Sequence, residues 1–131
     1  MMRKTKKDTT ANGFDAQTLL DSAGFAKRIV DYRRNEVIFA QGDRGDSVFY
    51  IQKGGVKLSV VSKTGKEAVV AMLGPSGFFG EGCLADQALR IGSATAITPS
   101  TVLVIDRKQM AKVLHEQNKL VDRFIAHMVV R

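Results

Sequence analysis

The sequence has no tryptophan, one cysteine, two prolines and two histidines. A single thiol, Cys83, cannot close an internal disulfide, so the fold must rest on its core; the usage fits a reducing cytoplasm. One thiol also cannot supply the several thiolates that an iron–sulfur cluster requires. His115 and His127 both fall in the C-terminal part, not at the i, i+4 spacing of a helical metal pair. A metal-binding barrel would carry histidines on its strands, so no metal site is expected. Neither histidine lies near a glycine-flanked serine or cysteine, and no nucleophile–histidine–acid arrangement emerges. The chain is not expected to be an enzyme. It has no run of about 18 apolar residues, the length a bilayer-crossing helix needs, and no membrane partner is expected. Met1 to Thr10 is basic and polar with no apolar stretch behind it, unlike a secretory signal.

The length, 131 residues, suits one domain with a substantial core. The formal net charge is +7, and Arg3, Lys4, Lys6 and Lys7 at the start supply about half of the excess. Such an excess attracts nucleic acid through phosphate without reading sequence. Neither a groove-reading helix nor zinc-finger spacing accompanies it, and residues 1–12 read as a disordered, solvated basic tail.

Glycine is plentiful, 12 residues, and it punctuates a clear pattern. Phe14 to Ala23 reads as a short helix closed by Gly24. The period then becomes two: Val37 and Phe39 alternate with Ile38 and Ala40, and Val48 and Tyr50 with Phe49 and Ile51. Val56, Leu58 and Val60 share one face, and Val102 and Val104 oppose Leu103 and Ile105. Turn residues at 42–46, 54–55, 62–65 and 74–77 separate these runs. Short strands at near-regular spacing, with glycine at nearly every corner, predict a mainly β fold, a β-barrel or a rolled sandwich. From Arg107 to Gln117 the apolar residues Met110, Val113 and Leu114 form a helical stripe. Another follows at Leu120, Val121, Phe124, Ile125, Met128 and Val129, which a partner chain, a further part of the chain or the roll itself would have to cover.

The chemistry concentrates between Phe78 and Ala96. The bend at Gly80, Glu81 and Gly82 exposes backbone N–H groups without a Cβ in the way, and a helical turn starting there would aim its amides at an anion. Arg90 can close on the same anion with two parallel hydrogen bonds. Glu81 accepts only, so it suits sugar hydroxyls and not phosphate. One acid, one guanidinium and a glycine backbone describe a sugar-phosphate site. The same two charges could also simply pair and fix the loop. Gly80-Glu81-Gly82-Cys83-Leu84-Ala85 fits the loose G-x-G-x-x-A dinucleotide pattern too, but no buried parallel strand precedes it and no long helix follows.

Phe79-Gly80-Glu81, an arginine nine positions after the acid, and the small residues Gly92-Ser93-Ala94 together resemble the phosphate-binding cassette of cyclic-nucleotide-binding domains. Gly42-Asp43-Arg44-Gly45-Asp46 resembles that family's Gly-Asp-x-Gly-Asp turn, and Gly54-Gly55-Val56-Lys57-Leu58 its next corner and strand. In this order the motifs resemble the sensor domain of Crp/Fnr transcription regulators, from about Tyr32 onward. The resemblance implies a mainly β fold, an antiparallel, jelly-roll-like β-roll of the cyclic-nucleotide-binding type over 13–117, with a short N-terminal helix and C-terminal helices. It further implies a truncated dimerisation helix beginning at 118–131. Its ligand would be cAMP or cGMP, as an effector. Glu81 would take the ribose 2′-hydroxyl and Arg90 the cyclic phosphate, with Gly80, Gly82, Cys83, Ile91 and Ser93 completing the cradle. A homodimer through the C-terminal helix is implied, and DNA contact only through a domain beyond this chain. Gly82 and Leu89 depart from the family pattern, which usually has a bulky aliphatic residue after the acid and proline before the arginine. Two other readings carry the same fold: a ligand-free dimerisation scaffold, and the same domain on a kinase or channel.

Overall fold

The computed structural model describes residues 28–85 and 87–116. The basic tail, the helix expected over 14–23 and the apolar stripe over 118–131 lie outside these residues. Lys27–Met110 forms one compact unit, and the remaining residues belong to a second one. The strands all lie in the first unit. In chain order they are β1 (Arg28–Tyr32), β2 (Val37–Phe39), β3 (Ser47–Lys53), β4 (Val56–Val61), β5 (Glu67–Leu73), β6 (Phe78–Phe79), β7 (Ser93–Ala96) and β8 (Ser100–Asp106). Helix α1 (Arg107–Glu116) follows directly. Asp106 caps it, accepting from the Lys108 N–H at 2.7 Å and so satisfying one of the first-turn donors.

The strands form two four-stranded sheets, in the orders β1-β8-β3-β6 and β2-β7-β4-β5. Every pairing among the described residues is antiparallel, as the family resemblance implies. The four strands read from periodicity are present as β2, β3, β4 and β8. β1, β5, β6 and β7 were not read from periodicity. β7 is Ser-Ala-Thr-Ala, with no bulky residue to mark it. It lies between β2 and β4, and its Ala94 and Ala96 are fully buried there. β5 is an edge strand whose Val69, Val70 and Met72 are all more than half exposed, so inside-outside alternation is confined to its last three residues.

The core lies between the sheets. Phe49 and Ile51 of β3, Val102 and Val104 of β8, Phe79 of β6, Val56 of β4 and Ala94 of β7 form one buried cluster. Register explains the meeting: Phe49 stands opposite both Val104 and Phe79, and Ile51 opposite Val102. Val48, Leu103 and Ile105 on the other face of these strands are fully buried as well, so β3 and β8 read as continuous apolar runs. At the far end, Ser100 ties a corner together. Its hydroxyl accepts from the Gly55 N–H at 3.0 Å and lies 2.7 Å from the Thr98 carbonyl. Gly54 turns there at φ +94°, and a Cβ would stand 2.6 Å from the Pro99 carbonyl oxygen, so only glycine fits.

Two stability measurements test this packing. Ile51→Ala is expected to cost about 2–5 kcal/mol in urea unfolding, whereas Val70→Ala on the exposed edge should stay within about 0.5 kcal/mol. Ser100→Ala leaves the Gly55 N–H buried without its acceptor and should cost about 1–3 kcal/mol.

Candidate functional site

The turn between β2 and β3 and the segment before β7 are fastened to each other through the backbone. The Arg90 N–H donates to the Asp43 carbonyl at 2.7 Å, Gly42 N–H to the Arg90 carbonyl at 2.8 Å, and Gly45 N–H to the Ala88 carbonyl at 2.9 Å. The Asp43 carboxylate accepts from the Ala40 N–H at 2.9 Å and holds the turn's own shape. These bonds bring residues some 45 positions apart into one place and set the direction in which the Arg90 side chain leaves the backbone.

That side chain turns inward. Arg90 is only 8% exposed. Its Nη1 donates to the Gly80 carbonyl at 2.8 Å and its Nη2 to the Ser47 carbonyl at 2.9 Å. The ring of Phe39 lies 4.3 Å from Cζ and that of Phe49 5.4 Å, measured to the centroids. Two glycines make room for it. A Cβ on Gly45 would run into Nε, and one on Gly80 would stand 3.0 Å from Nη1 and 2.8 Å from the Phe49 ring. Gly80 also has φ +76°, which a side chain disfavours. Nε is buried and has no hydrogen-bond acceptor among the described residues.

A 3-10 helix, Glu81–Ala85, starts immediately after Gly80, which is the helical turn expected at this bend. Glu81 opens it and is half-buried. Gly82 follows, and a Cβ there would collide with the Gln87 side chain. Cys83 is buried, with its Sγ 3.6 Å from the Ser47 carbonyl and 3.5 Å from the Gly80 carbonyl, the two oxygens that also hold Arg90. Burial pushes the Cys83 thiol up, and the nearby Arg90 and Arg107 charges only partly oppose this. The thiol therefore stays protonated near neutral pH and acts as a small packed group.

The remaining candidates lie farther along. Ile91 is 70% exposed. Ser93 sits in β7, and its Oγ accepts from the Gln41 N–H at 2.8 Å, fastening the β2–β3 turn. Gln41 in turn clamps the end of β4, with its amide bonded to both the N–H and the carbonyl of Val61. The structure thus gathers Gly80, Cys83 and Arg90 around shared carbonyls, with Glu81 and Gly82 in the same turn. It adds Phe39, Gly45, Ser47 and Phe49, which sequence reasoning did not single out. The glycine-rich turn was the available signal for Gly45; nothing in the order of residues announces that an aromatic on β2 faces an arginine.

A cleft of about 490 Å³ opens beside this turn, between Arg44, Gly45 and Asp46 on one side and Cys83, Gln87 and Arg107 on the other. Of the candidate residues only Cys83 lines it; the Arg90 and Glu81 side chains lie outside its lining. Among the described residues no group of three histidine, cysteine or carboxylate side chains is placed to hold a metal ion. No helix among them is long and apolar enough to cross a membrane.

Comparison with known proteins agrees with this geometry. The family model described as "Cyclic nucleotide-binding domain" matches residues 29–117. A CRP-like cAMP-activated global transcriptional regulator of Mycobacterium tuberculosis is 30% identical over 96 residues, 73% of this chain and 43% of that protein. A cGMP-dependent protein kinase, isozyme 2, of Drosophila melanogaster is 33% identical over 96 residues, 71% of this chain and 10% of the kinase. Among solved structures, the catabolite activator protein of Thermus thermophilus superposes with a TM-score of 0.71 at 30% identity, covering 88% of this chain and 54% of that one. The chain thus spans less than half the length of the curated relatives just named. With the two-sheet roll, the Phe-Gly-Glu turn and the inward arginine in place, the chain belongs to the cyclic nucleotide-binding domain family and carries that domain in the form found in Crp/Fnr-type regulators.

Proposed function

We propose that this domain is an effector sensor that binds a cyclic nucleotide, cAMP or cGMP, with Arg90 taking the cyclic phosphate. One observation carries the reading: a guanidinium buried to 8% exposure whose Nε–H has no acceptor among the described residues. A buried cation is costly unless its donors are satisfied and its charge compensated. The Gly80 and Ser47 carbonyls satisfy Nη1 and Nη2 but carry no net charge. A phosphodiester anion supplies both the missing acceptor and the missing charge, and guanidinium geometry suits it. Glu81, opening the 3-10 helix beside Gly80, takes a ribose hydroxyl as acceptor. Gly80, Gly82 and Cys83 contribute backbone that approaches the ligand closely, and Ile91 and Ser93 close the cradle on its far side.

The same arrangement supports transmission to the helix. Ser47, whose carbonyl holds Arg90, pairs with Asp106, and the neighbouring Asp46 carbonyl accepts from the Arg107 N–H at 2.8 Å. Ser47, which holds Arg90, is thus the chain neighbour of the residue bonded to the first residue of α1. In this reading the domain belongs to a cytoplasmic, dimeric transcription regulator. Effector binding shifts the arrangement of its C-terminal helices and hence of a DNA-binding domain that follows. The similarity to a cGMP-dependent kinase keeps cGMP beside cAMP as the ligand to be tried.

Titration calorimetry with cAMP and cGMP tests the proposal. Wild type should bind at least one of them. Arg90→Ala should weaken that binding by about a hundredfold or more while keeping the circular dichroism of the roll. Glu81→Gln should weaken it about tenfold, since one charged acceptor is lost. A wild-type domain that gives no heat with either nucleotide, and forms dimers regardless, would instead be a scaffold with a silent pocket.

A further inference from the structure

Two carbonyls hold the Arg90 guanidinium by its edge, and aromatic rings hold it by its face. Phe39 is the nearer ring, at 4.3 Å from Cζ. It belongs to a three-ring cluster. Phe49 and Phe79 stack at 4.9 Å and 12° between planes, and Phe39 tilts against them at 5.5 and 6.0 Å. Phe49 and Phe79 are core residues, opposite one another in the β3–β6 pairing. Phe39 is different: it is only partly buried and ends the three-residue strand β2, where the register with β7 slips between Val37 and Phe39. Its ring is thus less essential to the core than its two neighbours and closest to the charge. Attraction between a cation and a ring face grows when water is excluded, as it is around a side chain 8% exposed.

We propose that Phe39 is a positioning residue for effector binding. Its ring fixes the plane of the Arg90 guanidinium, so that Nε–H is presented to the ligand's phosphate before the ligand arrives. An arginine already ordered loses little further freedom on binding, and this raises affinity without Phe39 touching the nucleotide. The inference rests on the anion-binding reading of Arg90 and deepens it. Phe39→Leu removes the ring face while keeping an apolar side chain, and Phe39→Tyr keeps the face.

Two measurements on the full chain separate the outcomes. The first needs no ligand: labelling of Arg90 by phenylglyoxal, followed by peptide mass spectrometry. Wild type and Phe39→Tyr should protect Arg90, and Phe39→Leu should label about tenfold faster. The second is calorimetric affinity for cAMP and cGMP, which should fall about tenfold in Phe39→Leu and stay near wild type in Phe39→Tyr. A merely structural ring would lower the melting temperature of the leucine variant but leave labelling and affinity of the folded protein unchanged, and that result overturns the proposal. Equal labelling of the tyrosine and leucine variants also overturns it. Should Phe39→Leu fail to fold, Phe39→Met carries the same comparison. If wild type binds neither nucleotide, the effector reading falls, and the labelling alone decides whether Phe39 seats Arg90.

Discussion

A guanidinium enclosed by protein sets the terms for everything around it. Arg90 brings a permanent charge into a roll whose neighbouring side chains are mostly hydrocarbon, and the surroundings are arranged to bear that charge. Two main-chain carbonyls take the terminal nitrogens, and two aromatic faces lie against the plane. Two glycines leave the volume the side chain occupies. Each device answers a separate cost of burial: unmade hydrogen bonds, unscreened charge and steric overlap. The nitrogen left over is the one whose acceptor the domain does not supply from its described residues.

The route by which these parts meet is a backbone one. The glycine-rich turn after β2 and the strand-like segment before β7 exchange three hydrogen bonds, and these orient Arg90 before any side chain is considered. Cys83 shares both carbonyls with Arg90, so the 3-10 helix and the arginine are fastened to the same two points. Ser93 and Gln41 brace the turn from the β7 and β4 side. A hydroxyl that resembles a phosphate ligand in the linear sequence thus also has a bracing task. The same turn reaches the first residue of α1 through the Asp46 carbonyl and the Arg107 N–H.

Much of this was readable in one dimension, and the exceptions follow from what a linear pattern can hold. β3 and β8 announce themselves because successive apolar residues must face buried space on both sides. β7 does not, since its Ser-Ala-Thr-Ala run carries no bulky apolar residue to mark it. β5 does not either, since its first four residues are all exposed at the sheet edge and only its end alternates. The Phe-Gly-Glu turn, the arginine nine residues on and the glycine-rich corner were visible because their spacing is local.

By itself the sequence determined the class of fold, the places where the chain turns and the residue types able to meet an anion. Periodicity and glycine placement are enforced residue by residue along the backbone, so they survive in the linear order. Only the tertiary structure decided that Arg90 points inward, that its partners are the carbonyls of Gly80 and Ser47, and that Phe39 lies beneath it. Those contacts join residues 10, 43 and 51 positions apart, through main-chain oxygens that every residue possesses and through a ring that in sequence looks like any core aromatic. Such information exists only once the two sheets close on each other.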